Sequence, residues 1–224
     1  RKAAGRILRR ARTLYLVHVF SMALALVIVG TGLYAFGVET IAEHVNFTRL
    51  QTDTVKAIIG LPLLGYQLGY FNILPLYVVL LIAAIGFLAI GIRSVWAMLA
   101  ISACIWVFAH ISGFNFPNWP GEWGWFFNPL GWQLVFVFGI AIGRSAKTGR
   151  TLVAYHPVLY ALALAFVIFA GFWVKQKMGA LPGFSALPAI IANTNKGPLA
   201  FLRLVHVLAL AYVVIHTGAV GQLL

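Results

Sequence analysis

The side chains best suited to chemistry lie near the end of the chain. Asn193, Asn195 and Lys196 form a short polar run, and Arg203 and His206 follow it three residues apart, which places both on one face of a helix. The start of a helix and a nearby lysine together favour anions. This pattern predicts a binding site for a negatively charged group.

The position of Arg203 leaves two readings open. A helix predicted from Pro198 puts Arg203 roughly 7.5 Å beyond its start, at about 1.5 Å per residue. A cation at that depth in a membrane is costly unless it faces a cavity or a partner. Arg203 and His206 therefore either line a functional cavity, or the guanidinium reaches out to the interface while the histidine packs nearby.

Three arginines near the start of the chain form a second candidate site. Arg9 and Arg12 share a helical face, and Arg10 points elsewhere. Basic side chains before a span commonly set the topology or bind lipid head groups. The alternative is a site for a phosphorylated ligand, because the guanidinium fork matches phosphate oxygens. His18, roughly 9 Å beyond Arg12, is more typical of a hydrogen-bonded structural histidine than of a catalyst.

An aromatic run and three polar side chains complete the candidates. Residues 119–128 carry three Trp and two Phe. This run is typical of an interfacial belt, and a platform for sugar stacking is the less common alternative. Asn128 is predicted to cap the helix that follows. Gln133 and Tyr77 either hydrogen-bond between helices or line a cavity, and together with Asn128 they count as candidate ligand-binding residues.

These candidates are positioned by a chain that is too apolar for water. It has 224 residues, of which 62% are hydrophobic and 9% charged, and its mean hydropathy is +0.96. Long apolar runs indicate transmembrane helices, because a backbone in lipid must satisfy its own hydrogen bonds. We therefore predict an all-α polytopic transmembrane helix bundle that forms one domain over residues 1–224. Six spans are predicted, near residues 13–36, 73–92, 95–112, 129–143, 157–174 and from 198 to the end.

Smaller sequence features refine this layout. The less apolar segment 38–61 is predicted to form an interfacial helix on the outer surface. Gly139 and Gly143 form a Gly-x-x-x-Gly pattern, which favours close helix packing. Three spans are predicted to carry a proline in the first turn, where the missing N–H breaks no helical bond: Pro129, Pro157 and Pro198.

The distribution of charge indicates an orientation. Ten of the 16 Lys and Arg residues precede the first span or lie in the second-to-third and fourth-to-fifth connections, whereas the other side holds five, together with all four acidic residues. Cytoplasmic loops of membrane proteins carry the basic excess. We therefore expect the start of the chain to be cytoplasmic. The net charge of +12 then reflects membrane topology rather than nucleic-acid binding.

Four stretches in register resemble the OpgC family, membrane proteins that modify periplasmic glucans and belong to a wider acyltransferase superfamily. The matching stretches are residues 6–15, 72–77, 125–133, and 193–196 with 202–206. The resemblance spans nearly the whole chain, in the order of the middle and later part of that family. It implies a multi-pass protein of the bacterial inner membrane that transfers an acyl group, with succinyl as the named activity, to a periplasmic glucan or another sugar hydroxyl.

The resemblance implies a donor site at the start of the chain. An arginine-rich segment that enters a span is functionally important in the superfamily, and it is similar to Arg9, Arg10 and Arg12. These guanidinium groups would hold the phosphates of an acyl-coenzyme A donor. Because the sequence contains no metal-ligand spacing, phosphate loop or nucleotide fingerprint, we expect no tightly bound cofactor and no metal.

A reaction centre on the outer side is a hypothesis that fits this resemblance. Lys196, Arg203 and His206 would line that side, with the last two as catalytic residues, because a carboxylate or a developing oxyanion needs positive partners. A base would remove the proton of a sugar hydroxyl as it attacks the thioester carbonyl. The superfamily's catalytic histidine lies in a helix that would precede Arg1. We therefore expect the base upstream of this sequence, and we expect this fragment alone to be inactive.

Two other functions are compatible with the same residues. A transporter would use Arg203 and His206 to line a solute pathway, although the inverted repeats typical of many transporters are not found. A structural membrane subunit would use the polar residues to hold helices together. Solute flux without an acyl donor would favour the transporter, and an assembly defect without a separate catalytic defect would favour the subunit.

Overall fold

The computed structural model describes residues 2–37, 39–119, 121, 124–149, 151–175 and 194–217. Within these ranges the chain is helical, with one isolated β-bridge and no strand. In chain order the helices are α1 (Lys2–Phe36), α2 (Glu39–His44), α3 (Thr48–Thr52), α4 (Thr54–Gly60), α5 (Ile73–Arg93), α6 (Val95–Ser112), α7 (Pro129–Lys147), α8 (Pro157–Lys175) and α9 (Phe201–His216). The predicted all-α fold is confirmed.

Four of the described helices, α1, α5, α6 and α7, are long and apolar enough to cross a membrane. Shorter apolar stretches, Pro157–Trp173 of α8 and Phe201–His216, correspond to the last two predicted spans. The prediction of a helical membrane bundle is confirmed. Two helices extend beyond their predicted limits, because α1 continues back through the arginines to Lys2 and α7 continues to Lys147.

The centre of the bundle is formed by α5, α6 and α7, each of which packs against the other two. Their shared core consists of Phe87, Met98, Leu99, Val137 and Ala141. Gly91 permits this packing, since a Cβ at that position would lie 2.8 Å from the Met98 sulfur. On either side, α1 packs along α5, and α8 pairs with α9, which contacts α7.

The contacts of α1 fix the direction of α5. A Cβ on Gly30, near the end of α1, would lie 3.5 Å from the Phe47 ring. Val45 lies two residues before Phe47, and its carbonyl accepts a hydrogen bond from Gly69 N at 2.9 Å. Helix α5 begins four residues after Gly69. The start of α5 therefore lies near the end of α1, and the two helices run antiparallel.

The bundle consequently has two chemically different ends. Arg144 of α7 donates from Nη2 to the Ile92 carbonyl at 3.2 Å, which joins the last turns of α7 and α5. We call this the arginine end, after Arg93 and Arg144. Arg9, Arg10 and Arg12 lie in the first half of α1, between this end and Tyr15. We call the opposite end the loop end, and its described residues are 61–72, 113–119, 121, 124–128 and 194–200.

The segment between α1 and α5 runs down the side of α1. At one level Gln51 Nε2 donates to the Tyr34 hydroxyl at 3.0 Å, and at another the Tyr15 hydroxyl donates to the Pro62 carbonyl at 2.9 Å. Tyr15 and Tyr34 are roughly 28 Å apart along the helix. The predicted single interfacial helix over residues 38–61 is therefore wrong: this segment forms α2, α3 and α4, and much of it packs against α1.

The last helix begins three residues later than predicted. Leu199 has a φ of 57°, and the Ala200 amide returns to the Asn195 carbonyl at 3.1 Å, so that this part of the chain forms a turn. The prediction that Pro198 lies in a first helical turn is wrong, because α9 starts at Phe201. The same prediction is confirmed for Pro129 and Pro157, which are the first residues of α7 and α8.

The Gly-x-x-x-Gly pattern does not mark a close helix contact. A Cβ added at Gly139 or at Gly143 would have nothing within 4 Å. The prediction of close packing at these glycines is therefore wrong. The close approach in α7 occurs instead at Gly131, where an added Cβ would lie 2.1 Å from the Pro198 carbonyl oxygen.

Candidate functional site

A polar pocket of about 240 Å³ opens at the loop end of the bundle. Its lining combines four amide side chains, one guanidinium, one aromatic ring and three glycines. The lining residues are Asn46, Arg49, Gln67, Gly69, Asn72, Asn118, Gly121, Gly124 and Phe126. Such a set of neutral donors and acceptors around one cation, with an aromatic face, suits a polyhydroxylated ligand.

Three separate described parts of the chain are held together to form this pocket. Residues 46–49 contact the loop after α4, because Gly69 N bonds to the Val45 carbonyl. The same loop reaches the segment after α6 through a bond of 3.2 Å from Trp119 N to the Gly65 carbonyl. At Gly60, just before this loop, a Cβ would lie 2.5 Å from the Trp119 carbonyl oxygen, so the two backbones touch directly.

Tyr66 supports the pocket beneath Asn46. Its side chain is almost fully buried, and its hydroxyl donates to the Asn46 carbonyl at 3.1 Å. Burial raises the pKa of Tyr66 to about 12, against the opposing effect of the nearby Arg49 charge. The phenol therefore stays protonated and keeps donating. This bond holds Asn46 in a left-handed conformation, with a φ of 61°, beside the pocket.

The polar lining groups are available to a ligand. Within the described ranges, the side chains of Arg49, Asn72 and Asn118 make no hydrogen bond, and Asn72 is only 7% exposed. Gln67 uses its amide nitrogen to bond the Leu64 carbonyl at 3.0 Å, which leaves its oxygen as an acceptor. Because buried polar groups usually have partners, this concentration of unused groups indicates a binding site.

Lys196 lies at the edge of the same pocket. Its ammonium is 5.2 Å from the centre of the Phe126 ring, and Phe126 lines the pocket. The turn that carries Lys196 is fixed on the start of α7, because Asn128 N and Trp132 Nε1 both donate to the Gly197 carbonyl at 3.0 Å. The structure thus places one predicted ligand-binding residue next to the pocket.

Arg203 and His206 lie elsewhere. Because α9 begins at Phe201, Arg203 is its third residue rather than a cation about 7.5 Å deep, and its exposed side chain donates from Nε to the Thr194 carbonyl at 2.6 Å. His206 is half-buried and meets the Phe166 ring edge-on at 6.2 Å. Neither side chain lines the polar pocket. Their catalytic roles stay predictions, and a position of Arg203 deep inside the helix no longer supports them.

Asn128 and Gln133 bond to the protein itself. The Asn128 side chain accepts from Leu130 N at 2.9 Å, which confirms the predicted helix cap, and donates to the Phe114 carbonyl at 2.7 Å. Gln133 donates to the Ser102 carbonyl at 2.8 Å and accepts from the Ser102 hydroxyl at 2.6 Å. Of the two readings for Gln133, the structure therefore supports the bond between helices.

The remaining predicted residues are not brought to the pocket. Tyr77 is 46% exposed on α5. Asn195 accepts from Gly197 N at 3.0 Å within its own turn, and Asn193 lies outside the described residues. The side chains of Arg9, Arg10 and Arg12 are exposed on the first half of α1.

His18 is the least expected of these side chains. It is fully buried in α1, and neither ring nitrogen has a hydrogen-bond partner in the part of the chain that the structure describes. The expectation of a hydrogen-bonded structural histidine is therefore not met. His110 is similar in one respect, because its Nε2 is buried without a described partner while its ring stacks on Trp106 at 3.9 Å.

A larger cavity of about 630 Å³, between α7 and the α8–α9 pair, offers no comparable chemistry. Its lining is almost entirely apolar. The Tyr212 hydroxyl there donates to the Ala154 carbonyl at 3.1 Å and accepts from His156 N at 2.9 Å, and His216 contacts the Val153 carbonyl at 3.1 Å. These polar atoms are already engaged, so the polar pocket is the better candidate.

Sequence reasoning missed most of the pocket. Arg49, Gln67 and Asn118 were not among the predicted site residues, because each lies in a connection between predicted spans. A signal was present: four amides and one arginine fall within residues 46–72, a segment that is otherwise rich in apolar residues. The contacts that bring Asn118 to this segment join distant parts of the sequence and leave no local pattern.

Comparison with known proteins agrees with the sequence pattern. Neither the curated proteins nor the solved structures include a match to the chain. A family model described as OpgC protein matches residues 1–223, almost the entire sequence. The helical membrane bundle, with its polar pocket at the loop end and its arginines at the other, therefore belongs to a member of the OpgC protein family.

Proposed function

We propose that this protein is a membrane acyltransferase that modifies a glucan or another saccharide, and that the polar pocket binds the acceptor. The observation that carries the proposal is the lining of the pocket, in which Asn46, Gln67, Asn72 and Asn118 surround a space of about 240 Å³. Amide groups both donate and accept, as sugar hydroxyls do, and the Phe126 ring offers an apolar face. Membership of the OpgC family supports the same acceptor.

The donor site of this proposal is the first half of α1, towards the arginine end. Arg9, Arg10 and Arg12 are exposed there, and guanidinium groups bind phosphate oxygens in a bidentate manner. An acyl-coenzyme A is the donor that we propose, with succinyl as the acyl group of first choice. In this arrangement the arginine end faces the cytoplasm of a bacterial inner membrane, and the loop end faces the periplasm.

The reaction is a transfer from a thioester to an alcohol. A base takes the proton of a sugar hydroxyl, the oxygen attacks the thioester carbonyl, and the new C–O bond forms as the C–S bond breaks. Coenzyme A leaves as its thiolate and takes up a proton. Lys196, at the edge of the pocket, is the nearest predicted residue whose charge could stabilise the oxyanion; Arg203 and His206 would need a change of position to do so.

Acyl transfer by the full-length protein in membranes tests the proposal. We expect Asn72→Ala and Asn118→Ala each to lower kcat/KM for the glucan by about tenfold, because each removes a hydrogen-bonding group worth about 1.4 kcal/mol. KM for the acyl donor should not change. Gln51→Ala is the control, since that amide bonds to Tyr34 outside the pocket.

Wild-type transfer in both folded pocket variants would contradict the proposal. Flux of glucan into proteoliposomes that contain no acyl donor would favour a transporter instead, and it would make the pocket part of a solute pathway.

A further inference from the structure

The apolar cavity of about 630 Å³ lies beyond the contact that α9 makes with α7. Towards the loop end, Leu204 of α9 and Leu134 of α7 belong to one buried core, and Phe138 and Leu208 pack against it. The last two side chains also line the cavity and form its floor. From there the lining continues along α9 as far as His216. The cavity thus follows the part of α9 that points away from the loop end.

The size of the cavity is unusual for a packed protein. Interiors contain few voids larger than a water molecule, whereas 630 Å³ is about twenty times the ~30 Å³ that one water occupies in the liquid. From Val205 to His216, the wall that α9 contributes is roughly 16 Å long, at about 1.5 Å per residue. This length is close to half of the ~30 Å hydrocarbon core of a bilayer. The cavity therefore has the depth of one leaflet.

One side of the cavity opens between the helices. Leu159 and Leu162 of α8 line the cavity and remain 43% and 63% exposed, and Val153, in the connection before α8, remains 48% exposed. Apolar side chains that stay exposed on a membrane bundle face lipid rather than water. Because the surrounding medium is hydrocarbon, an alkyl chain can enter this apolar space from the side and gain contacts with its walls.

The end of the cavity near His216 carries the side chains of a membrane interface. The rings of Tyr212 and His216, which both line the cavity, lie 4.4 Å apart, and the Tyr155 ring lies 5.6 Å from that of His216. Tyrosine is enriched where the hydrocarbon meets the lipid head groups. A chain that enters at this end therefore extends from the interface into the leaflet.

The same end offers a cation, and its walls offer no carboxylate. Every element that lines the cavity follows Glu122 in the chain, and the sequence contains no Asp or Glu after that residue. Ala146 lines the cavity, and Lys147, which is exposed at the last position of α7, follows it directly. A lipid phosphate at this end would therefore meet a positive charge and no acidic side chain from the cavity walls.

We propose that this cavity holds one acyl chain of a membrane phospholipid from the leaflet at the arginine end, with the phosphate of that lipid near Lys147. The site is separate from the polar pocket and does not depend on acyl transfer. An acyl chain supplies the contacts that α7 and the α8–α9 pair lack across the gap. The bound lipid therefore joins the α8–α9 pair to the rest of the bundle.

Photolabelling of the full-length protein in lipid nanodiscs tests this inference. The nanodiscs contain phosphatidylethanolamine and phosphatidylglycerol, with a trace of phosphatidylglycerol that carries a diazirine in the middle of one acyl chain. Peptide mass spectrometry locates the labels after irradiation. We expect the cavity residues Phe138, Phe166 and Leu208 to be labelled about tenfold more than Ile82, which is exposed on α5, because burial of two further methylene groups gives a preference of this size.

Two variants with the same substitution assign the labels to the cavity. Ala209 lines the cavity on α9, and Ala209→Phe should lower labelling of the cavity residues about tenfold, because the ring displaces at least two methylene groups of the lipid. Ala165 is exposed on α8 and is not a lining residue. Ala165→Phe is therefore the matched control, and it should keep the wild-type labels.

A third variant tests the position of the phosphate. Lys147→Gln should lower labelling of the cavity about fivefold, the effect expected when one basic side chain near an anionic lipid is lost. Added salt should lower the wild-type labelling in the same direction. Unchanged labelling in Lys147→Gln would overturn the placement of the phosphate at this end.

The remaining outcomes decide the occupant. Labelling of the cavity that is equal to or weaker than that of Ile82 in wild type would overturn the inference, because the cavity would then be filled by something other than lipid. Palmitoyl-coenzyme A with the same diazirine is the second probe. Labelling of the cavity by this probe, but not by the phospholipid, would also overturn the inference. If Ala209→Phe does not fold, the wild-type comparison with Ile82 still decides.

Discussion

The hydroxyl of Tyr15 donates a hydrogen bond of 2.9 Å to the carbonyl oxygen of Pro62, 47 positions later in the chain. Tyr15 lies only three residues beyond Arg12 on α1, and Pro62 belongs to the loop that leads into the polar pocket. One side chain therefore links the helix of the proposed donor site to the loop of the proposed acceptor site.

Removing this link should weaken the fold. We expect Tyr15→Phe to lower the free energy of unfolding by about 1 kcal/mol, the usual net value of one hydrogen bond. Thermal unfolding in detergent measures the effect. Tyr77→Phe is a matched control because the Tyr77 side chain is exposed on α5. Equal stability of the two variants would mean that the bond between Tyr15 and Pro62 contributes nothing.

Gly131 is the glycine of α7 that packing requires. We expect Gly131→Ala to displace the turn that carries Lys196, because the new Cβ would overlap the carbonyl oxygen of Pro198, a backbone atom. A loss of about 2 kcal/mol in stability is of the order that overpacking causes. Gly139→Ala, with nothing within 4 Å of the new methyl group, should leave the unfolding midpoint unchanged or slightly raised.

The same pair of variants separates local from global damage. The chain has seven tryptophans, so the signal of Trp132 is taken as the difference in fluorescence between each variant and its Trp132→Phe counterpart. This difference reports the position of the turn, because Trp132 Nε1 bonds the Gly197 carbonyl. A normal Trp132 signal in a folded Gly131→Ala protein would show that the turn tolerates the methyl group.

His18 is the buried side chain whose replacement should stabilise the protein. Both ring nitrogens are buried without a hydrogen bond to the described residues, and an unsatisfied buried polar group costs about 1–3 kcal/mol. We expect His18→Leu to raise the unfolding temperature and to leave acyl transfer unchanged. His156→Ala, at an exposed position, is the control. A lower unfolding temperature for His18→Leu would contradict this expectation and show that the imidazole stabilises the fold.

The arginines of α1 should affect the donor and not the acceptor. We expect Arg9→Ala and Arg12→Ala each to raise KM for acyl-coenzyme A by about tenfold with kcat nearly unchanged, because a charge-assisted bond to phosphate is lost in the ground state and the transition state alike. Steady-state kinetics at saturating glucan measures this. Arg93→Ala, an exposed arginine at the arginine end, should have the smaller effect. An unchanged KM for the donor would mean that these arginines do not bind it and serve only to orient the chain in the membrane.

The long spans were predictable because their cause is local. An apolar run of span length must bury its backbone in helical hydrogen bonds, and the limits of α5 and α6 follow from this within one residue. The Asn128 cap was predictable for the same reason, since it depends on a side chain and an amide two residues apart. Family membership was predictable too, because it depends on stretches of sequence that match the family in their order and spacing.

The pocket and the start of α9 depend on other causes. Leu199 adopts a positive φ, which a leucine rarely does, so nothing in the local sequence predicts the turn that delays the helix. Asn118 reaches Asn72 only because the loop after α4 folds back and meets Trp119. Such contacts form between segments that are distant in sequence. The composition of each segment alone therefore predicts a connection between spans and not a shared pocket.

The three glycines of the pocket wall determine how its ligand range can change. A methyl group at Gly121 would meet the Asn118 carbonyl at 2.7 Å, and one at Gly124 would meet the Asn115 amide at 2.5 Å. Gly69, with a φ of 49°, would bring its methyl group to 3.2 Å from Val45. Glycine has no side chain to shorten, and these positions have no space for a larger one, so this part of the wall is fixed by the course of the loops. Acceptance of a bulkier sugar would have to come from the side chains that line the rest of the pocket, such as Phe126.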